Sequence, residues 1–309
     1  MPGDVKRSTL VFVCAVSAGA AMLSAAGGFT MPAVLAAQAP APAVPLRRAW
    51  TTPRTLDGHP DLQGVWNSAA GTPLERPPAY AGREFMTEQE FTAAEAALHV
   101  RSDSDRRDGA GTDADVGREN NEFWFSRRRQ FLSRRTSLIV DPADGRLPAL
   151  TPSADAQRIA RATYLAAHPA DSWEDRRLNE RCILFLQNGP PILPNTADIL
   201  LGLPYHFRIL QTKDTLVILH EEMSRRIIPL DGRPHVTSAI RQWLGDARGH
   251  WEGSTLVVET TNINDNVFER GAAYGFGGNL RMIERFTRVG PKQLDYEFTI
   301  DAPSTFTAP

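Results

Sequence analysis

The sequence predicts an α+β fold, mainly β: a curved antiparallel sheet or partly closed, calycin-like barrel with helical additions. Two observations carry most of this. From Tyr205 onward, short apolar runs are separated by turn peptides such as Thr212-Lys213-Asp214, Asp231-Gly232, Glu252-Gly253-Ser254 and Gly290-Pro291-Lys292. Gln293–Asp301 alternates strictly, with Leu294, Tyr296, Phe298 and Ile300 on one side and polar residues on the other. Period two is the pattern of a strand with one buried and one wet face. Strands of this length leave exposed edges unless the sheet curls or is covered, and curling is the simpler outcome.

The elements follow in order. Lys6-Arg7 and the uncharged Ser8–Ala26 stretch read as a signal peptide over 1–36, with Val34-Leu35-Ala36 before the cut. A retained anchor is the alternative, since the uncharged stretch is long enough to span a bilayer. The chain is expected in the periplasm or secreted. Residues 37–60 form a Pro-rich linker, and 61–309 a single mixed domain: 61–200 a strand, helices and a loop, 201–309 the antiparallel sheet. Asp61–Trp66 is the first strand. Thr87 and Glu90 make a capping box opening a helix to about His99. Arg101–Gly117 is a charged, Gly-rich loop whose aspartates miss the EF-hand spacing. Thr136–Val140 reads as a strand. Thr151-Pro152 starts a second helix. In the last third the strands are Tyr205–Gln211, Leu216–Met223, Arg226–Leu230, Gly249–Trp251, Thr255–Thr261, Leu280–Val289 and Gln293–Asp301.

Composition excludes some functions. A formal net charge of −2 at pH 7 gives no basic face for nucleic acid. There is no His-Glu-x-x-His, Cys-x-x-Cys, Gly-x-Ser-x-Gly or Walker loop. Gly275-Phe276-Gly277-Gly278 is a loop, not a dinucleotide fingerprint. The histidines lack metal-ligand spacing, so no metal or cofactor is expected. The only membrane contact expected is through an uncleaved signal segment. After cleavage Cys182 is the one remaining thiol, since Cys14 lies in the leader.

The candidate site is a rim formed by Asp231–His235 and Asp246–Glu252. His235, Asp246 and Glu222 are the candidate catalytic residues. Arg233, Arg248, Glu252 and Glu284 are the candidate binding residues. Two short loops there place imidazoles, guanidiniums and carboxylates on a rigid sheet, where sites usually lie. Such groups can bind a small molecule, move protons, or simply tie turns together. Three functions therefore stand: a small-molecule-binding protein, an acid–base enzyme such as a lyase or hydrolase, and an envelope module without a pocket.

The strings Asp57–Trp66, Asn121–Trp124, Arg135–Pro142, Glu180-Arg181-Cys182, Gly189-Pro190-Pro191, Arg226–His235, Gly245-Asp246, Arg248-Gly249, Trp251-Glu252-Gly253 and Glu284–Arg288 resemble a family of exported bacterial proteins. The family is abundant in acidobacteria and proteobacteria and has no assigned reaction. The resemblance spans residue 51 to the end and implies secretion and a shared fold. Two departures stand out. The family has a longer segment, often with a histidine, where Ser224-Arg225 alone separates Met223 from Arg226. Its members also run on through a Cys-His-Glu string, so the resemblance implies a truncated chain whose missing part holds the partner of Cys182. Gly64-Val65-Trp66 with arginines late in the sheet is also faintly similar to the lipocalins, where an arginine packs across a tryptophan at the barrel base.

Overall fold

Apolar residues at every second position give the strands two unlike faces, and burial of the apolar faces against each other makes the core. The computed structural model describes residues 10–15, 50–102, 109, 111–113, 131, 133–176, 178, 180–184, 191–192, 206–220, 224–264 and 280–308.

The described strands are β1 (Leu10–Ala15), β2 (Gly64–Asn67), β3 (His206–Gln211), β4 (Thr215–His220), β5 (Arg225–Pro229), β6 (Asp246–Glu252), β7 (Thr255–Thr261), β8 (Arg281–Gly290) and β9 (Gln293–Asp301). They form a four-stranded sheet in the order β2-β3-β4-β5 and a five-stranded sheet in the order β1-β9-β8-β7-β6. All pairings within them are antiparallel. β1 lies inside the segment read as a leader and pairs along β9. Cleavage after residue 36 would remove it and make β9 the sheet edge.

The α+β, mainly β class stands, but the curved single sheet or partly closed, calycin-like barrel does not: neither sheet closes. Strand ladders run continuously within each sheet, yet no ladder joins β5 to β6. Pro229 ends β5 without an amide to donate, and the chain then crosses through residues 230–245 to begin the second sheet. One contact expected of a lipocalin-like base is present without the barrel. The Arg288 guanidinium lies 5.5 Å from the Trp66 ring centroid. Its NH1 donates to the Asp61 carbonyl at 2.8 Å.

The core lies between the sheets. Trp66, Phe207, Ile209, Leu216, Ile218 and Ile228 face Leu256, Val258, Phe286, Leu294, Tyr296 and Phe298. Gly249 in β6 permits close approach, because a Cβ there would lie 2.5 Å from Leu230 Cδ2 and 3.1 Å from Ile228 Cγ2. Two α-helices among the described residues lie outside the sheets. In α1 (Glu88–Ser102), Glu90 N donates to Thr87 Oγ1 at 3.2 Å, while Glu90 Oε2 accepts from Thr87 N at 2.8 Å. In α2 (Pro152–Ala167), Thr151 Oγ1 accepts from Ala154 N. Thr136–Val140 is not a strand. Thr136 Oγ1 donates to the Arg83 carbonyl and Ser137 Oγ to that of Ile139. The Leu138 and Ile139 amides are taken by the carbonyls of Pro73 and Leu74. Most of Arg101–Gly117 and all of Gly275–Gly278 lie outside the described residues.

A charged pair crosses this apolar core. Arg226 of β5 meets Glu284 of β8 through NH1–Oε1 at 2.8 Å and NH2–Oε2 at 2.5 Å, with side chains 1% and 0% exposed. Tyr296 donates to Glu284 Oε1 at 2.7 Å, and Arg226 NH2 reaches Thr260 Oγ1 at 3.2 Å. Burial, reinforced by the Glu284 anion, pushes the Tyr296 hydroxyl well above its usual range, so it stays a donor. Its oxygen also accepts from Ile192 N at 2.9 Å. A bidentate pair with added hydroxyls answers most of the desolvation of both ions.

Removing one member leaves a bare buried charge. Glu284→Ala is expected to destabilise the fold by ~3–5 kcal/mol. The double change Arg226→Met, Glu284→Leu should recover most of that, as read from urea unfolding; a double variant no better than the single one would reject the account. His220 gives a pH prediction. Burial chiefly, with Arg226 nearby, lowers its imidazole from 6.5 to about 4. Between those values the unfolded chain holds the proton and the folded chain does not. Stability from this group is therefore complete above 6.5 and falls as pH drops toward about 4, by ~3 kcal/mol in all. His220→Leu should flatten that slope, and matching urea midpoints for both chains across the range would refute it.

Candidate functional site

The chain leaving β5 turns at Asp231-Gly232 and is pinned onto the start of β6. Asp246, the first residue of β6, is 5% exposed and supplies the pin. Its Oδ2 lies 3.0 Å from His235 Nδ1 and accepts from Val236 N at 2.9 Å. Its Oδ1 accepts from Arg248 NH1 at 2.6 Å. Arg248 points to the same side two residues along β6, and its Nε donates to the Pro234 carbonyl at 3.1 Å. Asn262, at the end of β7, donates to the Val236 carbonyl at 3.0 Å from a left-handed backbone with φ 56°. Gln242 N donates to the Asn262 carbonyl, and Asn264 N to that of Gln242. The loop is thus fastened along its length.

The arrangement sets the state of His235. An ionised carboxylate only accepts, so Nδ1 must carry the proton in the neutral ring. That leaves the Nε2 lone pair outward. Nε2 has no hydrogen-bond partner among the described residues, and the side chain is 27% exposed. An aspartate behind Nδ1 with Nε2 free is the geometry of a histidine that takes and returns protons.

The other sequence candidates scatter. Arg233 is spent within its own turn, where Asp231 accepts from its backbone amide and guanidinium. That guanidinium lowers the Asp231 carboxyl to about 2. Glu252 sits at the far end of β6, roughly 20 Å from Asp246 by strand rise, paired with Arg285 at 2.6 Å and His250 at 3.2 Å. Those hydrogen bonds, Arg285's first, hold its carboxyl below the usual range. Glu284 is not at a rim at all: it is the buried anion of the core pair. Glu222 lies outside the described residues. The expected single rim is therefore one cluster of His235, Asp246 and Arg248, a separate Glu252 triad, and an internal pair. Among the described residues, no group of His, Cys, Asp and Glu could hold a metal ion.

Sequence reasoning missed Asn262 and the Val236 amide. Neither carries a motif; Asn262 shows itself only through its positive φ. Gly245 had a readable signal, a glycine placed directly before the candidate aspartate. Its φ is 71°, and a Cβ there would lie 2.6 Å from Thr260 Cγ2 and 2.8 Å from the Thr261 carbonyl. Gly245→Ala should displace the start of β6 and lower stability by ~1 kcal/mol or more. Thermal unfolding would show this, and an unchanged melting temperature would mean the turn is not needed.

No protein-family model, no curated protein and no solved structure matches the chain.

Proposed function

We propose that the chain is an acid–base enzyme in which His235 is the proton-transfer group and a small polar molecule the substrate. The observation that carries this is the His235–Asp246 contact at 3.0 Å, with Nε2 lacking a hydrogen-bond partner among the described residues on a side chain 27% exposed. Asp246 orients the ring and stabilises the imidazolium formed when Nε2 takes a proton. Arg248 balances the Asp246 charge before that step, so the cluster starts near neutral. No hydroxyl or thiol is hydrogen-bonded to the His235 ring among the described residues. The chemistry that suits the cluster is therefore proton abstraction or general-base activation of water, as in a lyase or a hydrolase without a covalent intermediate. The proposal takes the chain to be exported, on the strength of its basic and uncharged N-terminal segment.

A second reading has its own support. The Val236 amide and the Pro234 carbonyl engage Asp246 and Arg248, so the cluster also fastens the loop. His235 is the member to change, because its loss leaves those two bonds intact. A thermal-shift screen of small acids, esters and sugars should find stabilisers of the wild-type protein. With His235→Ala the response should vanish, while the melting temperature stays within ~3 °C of wild type, equivalent to about 1 kcal/mol. Turnover of any substrate found should fall ~10²–10⁴-fold. Unaltered ligand response together with a large drop in melting temperature would retire the enzymatic reading and leave the fastening one.

A further inference from the structure

The two sheets carry very different outer faces. On the five-stranded sheet the outward arginines of β6 and β8 have carboxylates: Arg248 with Asp246, Arg281 with Glu259, Arg285 with Glu252. On the four-stranded sheet the strand register sets Val65, Arg208, Leu219 and Arg225 side by side in one row across all four strands. The next row is Leu210, Val217 and Ile227. Val65 is 53% and Ile227 59% exposed, and Arg208 and Arg225 are exposed too. Neither arginine has an ion-pair partner among the described residues. No outward position of these strands in the described residues holds a carboxylate.

We propose that this face is a peripheral docking surface for an anionic lipid bilayer. A cationic row beside an aliphatic row matches the order of phosphate and acyl layers at a membrane surface. Arg208 and Arg225 flank Leu219 at roughly 10 Å, two strand spacings, which suits adjacent headgroups. A second copy is a poor occupant, because face-to-face packing would set arginine against arginine. A protein partner is disfavoured by the face itself, which offers no Trp, Tyr or Phe anchor in its outward strand positions. This contact differs from the leader-mediated one expected from the sequence, and it does not depend on His235.

The test is co-sedimentation of the full chain with phosphatidylcholine vesicles and with vesicles containing a quarter phosphatidylglycerol, at low and high salt. Wild-type protein should prefer the anionic vesicles, and salt should weaken the preference. Each arginine should contribute ~5-fold, so Arg208→Gln with Arg225→Gln should lower anionic binding ~30-fold. Ile227→Ser should weaken binding to anionic vesicles further. Arg285→Gln, on the opposite face, should leave it unchanged. The residual binding of the double variant measures what the leader contributes. Equal binding to both vesicle types, a double variant that keeps the anionic preference, or a dimer in light scattering that Ile227→Ser dissociates would each overturn the proposal. So would recovery of the wild-type chain entirely in the supernatant.

Discussion

The Arg226–Glu284 pair is the constraint on which the rest of the structure depends. It spans the two sheets, from β5 to β8, at a depth where neither ion touches water. An ion left unpaired there would cost ~3–5 kcal/mol, a large share of the ~5–15 kcal/mol that holds a domain of ordinary stability folded. Apolar alternation sets which face of each sheet turns inward, and the pair fixes how the two inward faces register against one another. Apolar burial supplies the driving force around it, but apolar contacts tolerate sliding, whereas a bidentate pair does not. Tyr296 and Thr260 complete the arrangement with hydroxyls from two further strands of the second sheet. Arg226 Nε and His220 Nε2 remain buried without a hydrogen-bond partner among the described residues.

The His235 cluster lies outside this core. The segment from Pro229 to Asp246 must travel from one sheet to the other, and it carries His235 with it. Asp246 waits at the start of β6 and takes both the imidazole and the Val236 amide. The same carboxylate thus locates the loop and orients the ring. This dual use fits the nearly buried Asp246 and the more open His235.

The outer faces show how one alternation rule gives two unlike surfaces. On the five-stranded sheet Arg248 stands opposite Glu259, Arg281 opposite Asp301 and Arg285 opposite Glu297, and opposite charges so placed lower the energy of a wet face. Outward positions on the four-stranded sheet are largely aliphatic, interrupted by Arg208 and Arg225, which have no ion-pair partner among the described residues. A sheet that is apolar on both faces is normally covered on both. His59 shows a smaller case of the same logic: it stacks on Trp251, with centroids 5.1 Å apart and planes 8° apart, and shields an aromatic at the edge of the core.

By itself the sequence determined much of the local structure, though not that of Thr136–Val140. Alternation marked Gln293–Asp301 to the residue, the Glu252-Gly253-Ser254 turn marked the start of Thr255–Thr261, and Thr87 and Thr151 marked the helix starts. These features are legible because they depend on neighbours a few residues away. It also held a clue to the core pair: Glu284 lies in phase with Met282 and Phe286, and Arg226 in phase with Ile228, so both charges were already on apolar faces. Only the tertiary structure decided that these two faces meet, that the sheets stay separate, and that His235 lands on Asp246 while Glu252 does not. Those outcomes depend on contacts between residues distant in the chain. The period of a strand says that it has two faces, and nothing about what each face will find.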